Sequence, residues 1–348
     1  MSAKRESLRV ITYNVWHGLN PTSMLKFGEF ETPAERERRL QLFLTQAREA
    51  DADILFLQEV NPAPALTERI ARELDMDAAW VFDNTGIKIA GFGVPTNLFS
   101  GLAILAKRDL GLADLGVRQL SGSLWYASRA VCFQTSEVRT AGAATIRVNG
   151  REILLVVTHL HHGPEITSEI RDAIEGLPRK GKIPATRPAE IFATMAESDE
   201  RRRDELAAAT TWMRELGFAR EPVIFAGDFN ASPESEELAW LRREHRFTSV
   251  TKDDDPQTLL MTWDYANNPN THTLKTFKPV YEFEAAVNDV LQPILEQEIR
   301  RLDYIFLRDA PDWAEVRNAG LFGTRLENDR PASDHFGVVA DIGLGTNP

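Results

Sequence analysis

The sequence predicts a mixed α/β (α+β) protein in which packed sheets carry helices on their flanks. Apolar runs of a few residues, too short for helices, recur along the chain and alternate with longer segments of helical period. The pair Asn149-Gly150 sits between two apolar stretches, a two-residue turn signal that calls for antiparallel pairing. Hairpins occur in both halves, which argues against a purely parallel βαβ array. No repeat of fixed period is visible.

Residues 8–13 (LRVITY) read as a short strand. Residues 33–50 read as a helix, because Pro33 suits its start and Leu40, Phe43, Leu44 and Ala47 fall on one face. Residues 53–57 form a run typical of a buried strand, ended by Gln58 and Glu59. A second helix fits 63–74, and LAILA at 102–106 is another buried strand. AATIRV and REILLVVT flank the Asn149-Gly150 turn, and the second run ends at His159. Residues 197–216 are helical, with Leu206, Ala209 and Met213 inward. A strand over 222–226 ends at Gly227-Asp228, residues 234–243 look helical, and 302–307 and 337–342 are the last two strands. Two segments read as insertions into one domain spanning residues 1–348. One, 163–198, holds Pro164, Pro178, Pro184 and Pro188 and a basic cluster at Arg179-Lys180-Gly181-Lys182; the other, 264–298, is polar at first and then helical. Segments this long often form lids or binding walls.

The apolar fraction of 43% and charged fraction of 26% place the chain with ordinary soluble globular proteins. A net charge of −12 weighs against binding of long nucleic acid, since phosphate neutralisation supplies most of the affinity of nonspecific duplex binders. The single cysteine, Cys132, cannot form an internal disulfide and reads as a small buried hydrophobe. No apolar run approaches the ~18 residues of a membrane span, and no secretory signal is visible at the N-terminus. The expectation is a cytoplasmic protein, or a secreted one whose signal has been removed, with no stable membrane insertion and no obligate protein partner.

Six polar signatures end or precede apolar runs: Asn14, Gln58-Glu59, Thr158-His159, Gly227-Asp228-Phe229-Asn230, Asp303 and Ser333-Asp334-His335. Glu59 follows the four apolar residues Ile54–Leu57 and Gln58, and a carboxylate at such depth costs several kcal/mol unless it meets a cation or donors. Mg²⁺ takes few protein carboxylates and keeps waters, so Glu59 with a helper Asn14 suffices as a site. Asp228 and Asn230 point the same way with period two: an acid to hold or deprotonate water, an amide to donate to a phosphate oxygen. His335 is suited to proton transfer near neutral pH and needs an orienting acceptor, for which Asp303 is the candidate. His159, His161 and His162 lie close together, but no cysteine or HExxH pattern supports zinc. His159 reads better as a donor to phosphate. Tyr126 and Arg129, in LWYASRA, are apt for a phosphate oxyanion or, as readily, for an aromatic anchor and a surface cation.

These strings together resemble the endonuclease/exonuclease/phosphatase superfamily: YNVW with Asn14, QEV with Glu59, SGLAILAKR, THL with His159, GDFN, RLDYIF with Asp303 and SDH at 333–335. The resemblance runs from about residue 8 to 342. It implies a four-layer sandwich, two mostly antiparallel sheets face to face with helices outside, and an active site at one edge. It implies Mg²⁺- or Mn²⁺-dependent cleavage of phosphoester bonds in nucleic acid, a phosphorylated small molecule or a phospholipid head group. By position, Glu59 looks like the main metal ligand with Asn14 and Asp334 nearby. Asp228 looks like the residue that orients or deprotonates water, Asn230 and His159 like phosphate contacts, and His335 with Asp303 like the group acting around the phosphorane. Whether Asp228 or His335 is the base stays open. Trp16 stands where some family nucleases carry an acid, and Thr262-Trp263-Asp264 is similar to a segment of sphingomyelinase-like members. A nuclease requires a basic groove, which Arg179–Lys182 and Arg201–Arg203 are placed to supply; a phospholipase C-like enzyme requires exposed apolar loops, and no hydrophobic hairpin is evident. The rival class is an inactive binding module on the same fold, against which every ligand and the histidine are present.

Overall fold

The computed structural model describes residues 4–345 except 22, 124, 252–259, 277–282 and 284. Twelve strands form two six-stranded sheets. The first contains β1 (Ser7–Asn14), β2 (Ile54–Val60), β3 (Met76–Phe82) and β4 (Gly101–Lys107). The second is built from β5 (Ala113–Ser121), β6 (Arg139–Val148), β7 (Arg151–His159), β8 (Val223–Asp228), β9 (Phe247–Ser249) and β10 (Asp303–Arg308). The chain then returns to the first sheet with β11 (Ala314–Phe322) and β12 (Gly337–Leu344). Sheet orders are β11-β12-β1-β2-β4-β3 and β9-β10-β8-β7-β6-β5. Each sheet has one parallel pair at its centre, β1 with β2 and β7 with β8, and antiparallel neighbours elsewhere.

The near-continuous apolar strands are buried on both faces, as the period-two pattern requires. From the first sheet Val10, Ile54, Phe56 and Ile104 meet Leu155, Val157, Ile224 and Ile305 of the second. The alternate residues Ile11, Tyr13, Leu55 and Leu57 pack under helices α1 (Pro33–Ala50) and α2 (Ala63–Leu74). Leu154, Val156, Phe225 and Phe306 pack under α4 (Arg187–Glu215) and α5 (Glu236–His245). The result is the four-layer order of helices, sheet, sheet, helices.

Helix α1 starts at a reciprocal cap in which Thr32 accepts from the Glu35 N–H and Glu35 accepts from the Thr32 N–H. Asn149 and Gly150 adopt φ of 53° and 84°, the left-handed pair of a type I′ turn, and close the β6–β7 hairpin with Val148 opposite Arg151. Helix α4 begins ten residues earlier than its sequence pattern indicates, because Pro188 lies in the first turn, where a missing N–H costs nothing. The segment before it is not a loop throughout: α3 (Ser168–Arg179) packs its Ile170, Ile174 and Leu177 against Val287 and Leu291 of α6 (Ala285–Leu295). The two insertions thus share one apolar cluster.

A further four-stranded sheet, Trp125–Ala127, Val131–Gln134, Ile87–Ile89 and Phe92–Val94 in that order, corrects the expectation that no hydrophobic hairpin exists. Residues 86–95 contain Gly86, Gly91, Gly93 and Pro95, so they carry a loop composition, yet Ile87–Ile89 and Phe92–Val94 pair as a hairpin. Its inner face buries Cys132 with Ala63 and Phe82. Among the described residues no helix is long and apolar enough to cross a membrane.

Candidate active site

The C-terminal ends of both central parallel pairs point to one edge of the sandwich, where β10 and β12 begin. Asn14 lies opposite Gln58, His159 opposite Asp228, and Asp228 opposite Asp303. This registration is why five of the six sequence signatures fall together at strand ends; Ser333–His335 joins them by leading into β12. Between Leu57 and Val60 the β2–β4 ladder is irregular, and Glu59 adopts φ 56°. Asn230 adopts φ 51° just past β8. Positive φ at non-glycine residues is uncommon and concentrates at functional sites, where it re-aims a side chain. Gly227 is required by close approach: a Cβ there would lie 2.0 Å from the Thr158 carbonyl oxygen.

The Asn14 amide NH₂ donates to Glu59 Oε1 at 3.1 Å and to Asp228 Oδ2 at 3.3 Å, while its oxygen accepts the Trp16 N–H. Asn14 therefore bridges two carboxylates, one from each sheet, and its oxygen does not face the cluster. Glu59 Oε2 accepts the His17 N–H at 3.0 Å. Asp228 Oδ2 also lies 3.6 Å from His159 Nε2 and 3.8 Å from His335 Nε2, and Asp228 Oδ1 accepts the Asn230 N–H. His335 Nδ1 meets Asp303 Oδ2 at 2.9 Å, the orienting pair expected from sequence. The Thr262-Trp263-Asp264 segment supports that pair. Thr262 Oγ1 accepts the N–H groups of Leu302 and Asp303, and the Trp263 ring stands edge-on to His335 with centroids 5.0 Å apart.

Burial opposes charge on His335, but Asp303 and Asp228 outweigh it and push its pKa up to about 10. Burial and the neighbouring Asp303 raise Asp228 to about 7, and burial with Glu59 nearby raises Asp334 to about 7. Burial and then Arg139 depress His159 well below its ordinary value. Glu59, although buried, is held well below the usual carboxylate range by His17 and by its two donors. The set of Glu59, Asp228 and Asp334 is thus a group of hard oxygen donors with no Lys or Arg ion-paired to them among the described residues. Such a group fits a divalent cation, which would offset the burial that raises Asp228 and Asp334 and favour their charged forms.

Glu59, His159, Asp228, Asn230, Asp334 and His335 line a cavity of about 730 Å³, with Asn14 and Asp303 buried behind them. Tyr126 and Arg129 are not brought there, which corrects their proposed phosphate role. Tyr126 is 61% exposed on the outer face of the small sheet, and Arg129 pairs with Glu68 at 2.7 Å and lies over the Trp80 ring. The basic groove is not built either. Arg202 is fully buried against Glu237, Arg201 pairs with Glu205, and Arg179–Lys182 do not line the cavity.

Glu137 and Arg139, which no sequence pattern marked, stand in the remaining wall with His162. Buried Arg139 donates to Glu137 at 2.7 Å and contacts His162 Nδ1 at 3.1 Å, while His161 meets Glu137 at 3.1 Å. Glu137, His161 and His162 have ligand-like spacing, but the Arg139 guanidinium already occupies the cation position among them. Trp16, Phe27, Phe30, Leu98, Leu291 and Leu295 give the cavity an apolar side. Only the apolar spacing on α6 was a signal for this wall; Arg139 and Glu137 flank a loop–strand junction with no pattern.

The fold and site together define a four-layer α/β sandwich with a buried acid–histidine cluster at one edge. The chain belongs to the Endonuclease/Exonuclease/phosphatase family, whose sequence model matches residues 11–335. Similar solved structures include humanized D. rerio TDP2, at 16% identity and TM-score 0.57, covering 97% of this chain and 99% of that one. The human Nocturnin catalytic domain with bound sulfate is 17% identical, with TM-score 0.56 and coverage of 99% and 96%. A Bacteroides thetaiotaomicron mannosyl-6-phosphatase is 17% identical, with TM-score 0.56 and coverage of 97% and 99%. No curated protein matches the sequence. Family membership supports a hydrolase of the phosphoesterase or nuclease type.

Proposed function

We propose that the protein is a Mg²⁺- or Mn²⁺-dependent phosphoesterase in which water attacks phosphorus within the cavity. The observation that carries this reading is the convergence of Asn14, His159 and His335 on Asp228 Oδ2, at 3.3, 3.6 and 3.8 Å, beside Glu59. Glu59 and Asp334 would hold the cation, with Asn14 fixing the Glu59 carboxylate rather than ligating directly. When bound, the metal would polarise the phosphoryl group and lower the cost of its negative charge.

Asp228 is the acceptor for the proton of the attacking water, because His335 is already protonated at neutral pH by its two acidic neighbours. The imidazolium, oriented by Asp303, then faces the phosphoryl oxygens and meets the charge that builds there. Neutral His159 and the Asn230 amide add donors without adding charge. The cavity volume suits a small phosphoester, and the absence of a basic wall among the described residues favours such a substrate over duplex nucleic acid. A phospholipase C-like reading is favoured by one observation, the exposed apolar sheet described above.

The test is a panel of single- and double-stranded DNA, RNA, bis-p-nitrophenyl phosphate, inositol phosphates and sphingomyelin, each with Mg²⁺, Mn²⁺ or EDTA. Metal-dependent turnover that vanishes in His335→Ala supports the reading. Turnover insensitive to EDTA, or unchanged in the variant, overturns it.

A further inference from the structure

The small four-stranded sheet has one face that none of the described residues covers. Antiparallel partners share a face, so Ile87 with Val94, Ile89 with Phe92 and Val131, and Tyr126 with Phe133 all project together. All seven are exposed, Phe92 at 85% and Ile89 at 69%. Of the alternate residues, Lys88 and Cys132 turn inward and are buried, and Gly93, Trp125, Ala127 and Gln134 are half-buried. Lys88 sends its ammonium to the carbonyls of Thr85 and Leu98, so the one cation of these strands is spent inside. Beside the hairpin, exposed Met24 and Leu25 extend the apolar surface, held there by the Thr96 N–H to Leu25 carbonyl bond at 2.8 Å. Contiguous apolar patches of this kind mark protein or membrane contacts.

Two features decide the occupant. The sheet adjoins the cavity: Gly86 and Pro95 flank its hairpin, Gln134 ends the neighbouring strand, and all three line the cavity, as does Phe27 beyond the Met24–Leu25 surface. A second copy of the chain seated on the face would close that mouth, whereas a layer of amphiphile covers the face and delivers a phosphoester to the opening. The face itself carries no ionisable side chain other than the Tyr126 phenol, and the chain's net charge of −12 opposes an anionic surface. We propose that this sheet docks the protein on a zwitterionic phospholipid surface, with its phosphoester head groups presented to the cavity. The catalytic half of the proposal rests on the phosphoesterase reading; the docking half does not.

Docking is tested on the full chain in EDTA by co-sedimentation with phosphatidylcholine vesicles, comparing wild type with the Ile89→Ser/Phe92→Ser double variant. Both side chains are exposed and outside the catalytic cluster, so folding and metal-dependent turnover of soluble bis-p-nitrophenyl phosphate should be retained. Wild type should bind, and the double variant should lose at least about tenfold in partitioning, the loss expected for two large apolar groups. Absence of vesicle binding by wild type, or equal binding by the variant, overturns the proposal. So does a wild-type dimer by light scattering that becomes monomeric in the variant, since the face would then be a contact between copies. Vesicle binding without turnover of any phosphoester leaves docking standing and removes only the catalytic reading.

Discussion

Asp228 sits where three donors and two sheets meet, and a carboxylate in that position has two jobs that a substitution can separate. Asp228→Asn keeps the size and can still accept the Asn230 N–H through its one amide oxygen, but it loses the second acceptor that meets Asn14 and cannot accept a proton. Activity should fall by about 10²–10⁴-fold, the span of general acid–base contributions, with the circular dichroism spectrum unchanged. Glu59→Gln should instead weaken Mg²⁺ binding, read by calorimetry, because the charge is lost and the one amide oxygen can satisfy only one of the Asn14 and His17 donors. His335 carries a pH signature. Its pKa is about 10 in the fold against 6.5 when free, so the folded state holds the proton more tightly. The stability it contributes is fully present below pH 6.5 and is lost as pH rises through about 10. The melting temperature of metal-free protein should therefore fall across that interval. His335→Gln, which can still donate to Asp303, should flatten the fall.

At the scale of elements, β8 and the α3–α6 pair show what can be changed and what cannot. Gly227→Ala would push a methyl into the Thr158 carbonyl at 2.0 Å and should cost about 3 kcal/mol in denaturant unfolding, with loss of activity as Asp228 is displaced. Ile174→Ala removes a buried side chain from the cluster that α3 shares with α6. It should cost about 2–5 kcal/mol if that cluster unfolds with the sheets, and should raise KM because Leu291 and Leu295 line the cavity. The elements legible in the sequence were those with strong periodicity or strict turn chemistry. Helix 63–74 matches in full, and the Asn149-Gly150 hairpin is placed to the residue. Strands β3, β5 and β11 went unread because their alternation is broken by polar, exposed positions such as Asp77, Asp114 and Asn318. The small sheet was masked by its glycines, and α3 by Pro178, which falls near the helix end where it breaks little. Of the candidate site, Asn14, Glu59, His159, Asp228, Asn230, Asp303, Asp334 and His335 were legible because strand ends concentrate function. Tyr126 and Arg129 misled because an aromatic–cation pair near an apolar run carries no information about which edge it occupies.

For the molecule as a whole, the groups of the candidate site are not the property of either sheet. Asn14, Glu59, Asp334 and His335 belong to the first, while His159, Asp228 and Asp303 belong to the second. Among the described residues two hydrogen bonds within the site cross this division, Asn14 to Asp228 at 3.3 Å and His335 to Asp303 at 2.9 Å, and the wider alignment depends on the apolar layer between Val10, Phe56 and Ile104 on one side and Leu155, Ile224 and Ile305 on the other. That layer is non-directional, as hydrophobic contacts are, so it holds the sheets together without itself specifying where each polar group falls. The active centre therefore behaves as a vernier scale for the sandwich: a lateral slip too small to expose the core is already enough to misalign the marks. On heating, turnover of a soluble phosphoester should fade several degrees before the far-ultraviolet signal of the sheets, and a substitution that tightens the seam should bring the two temperatures together.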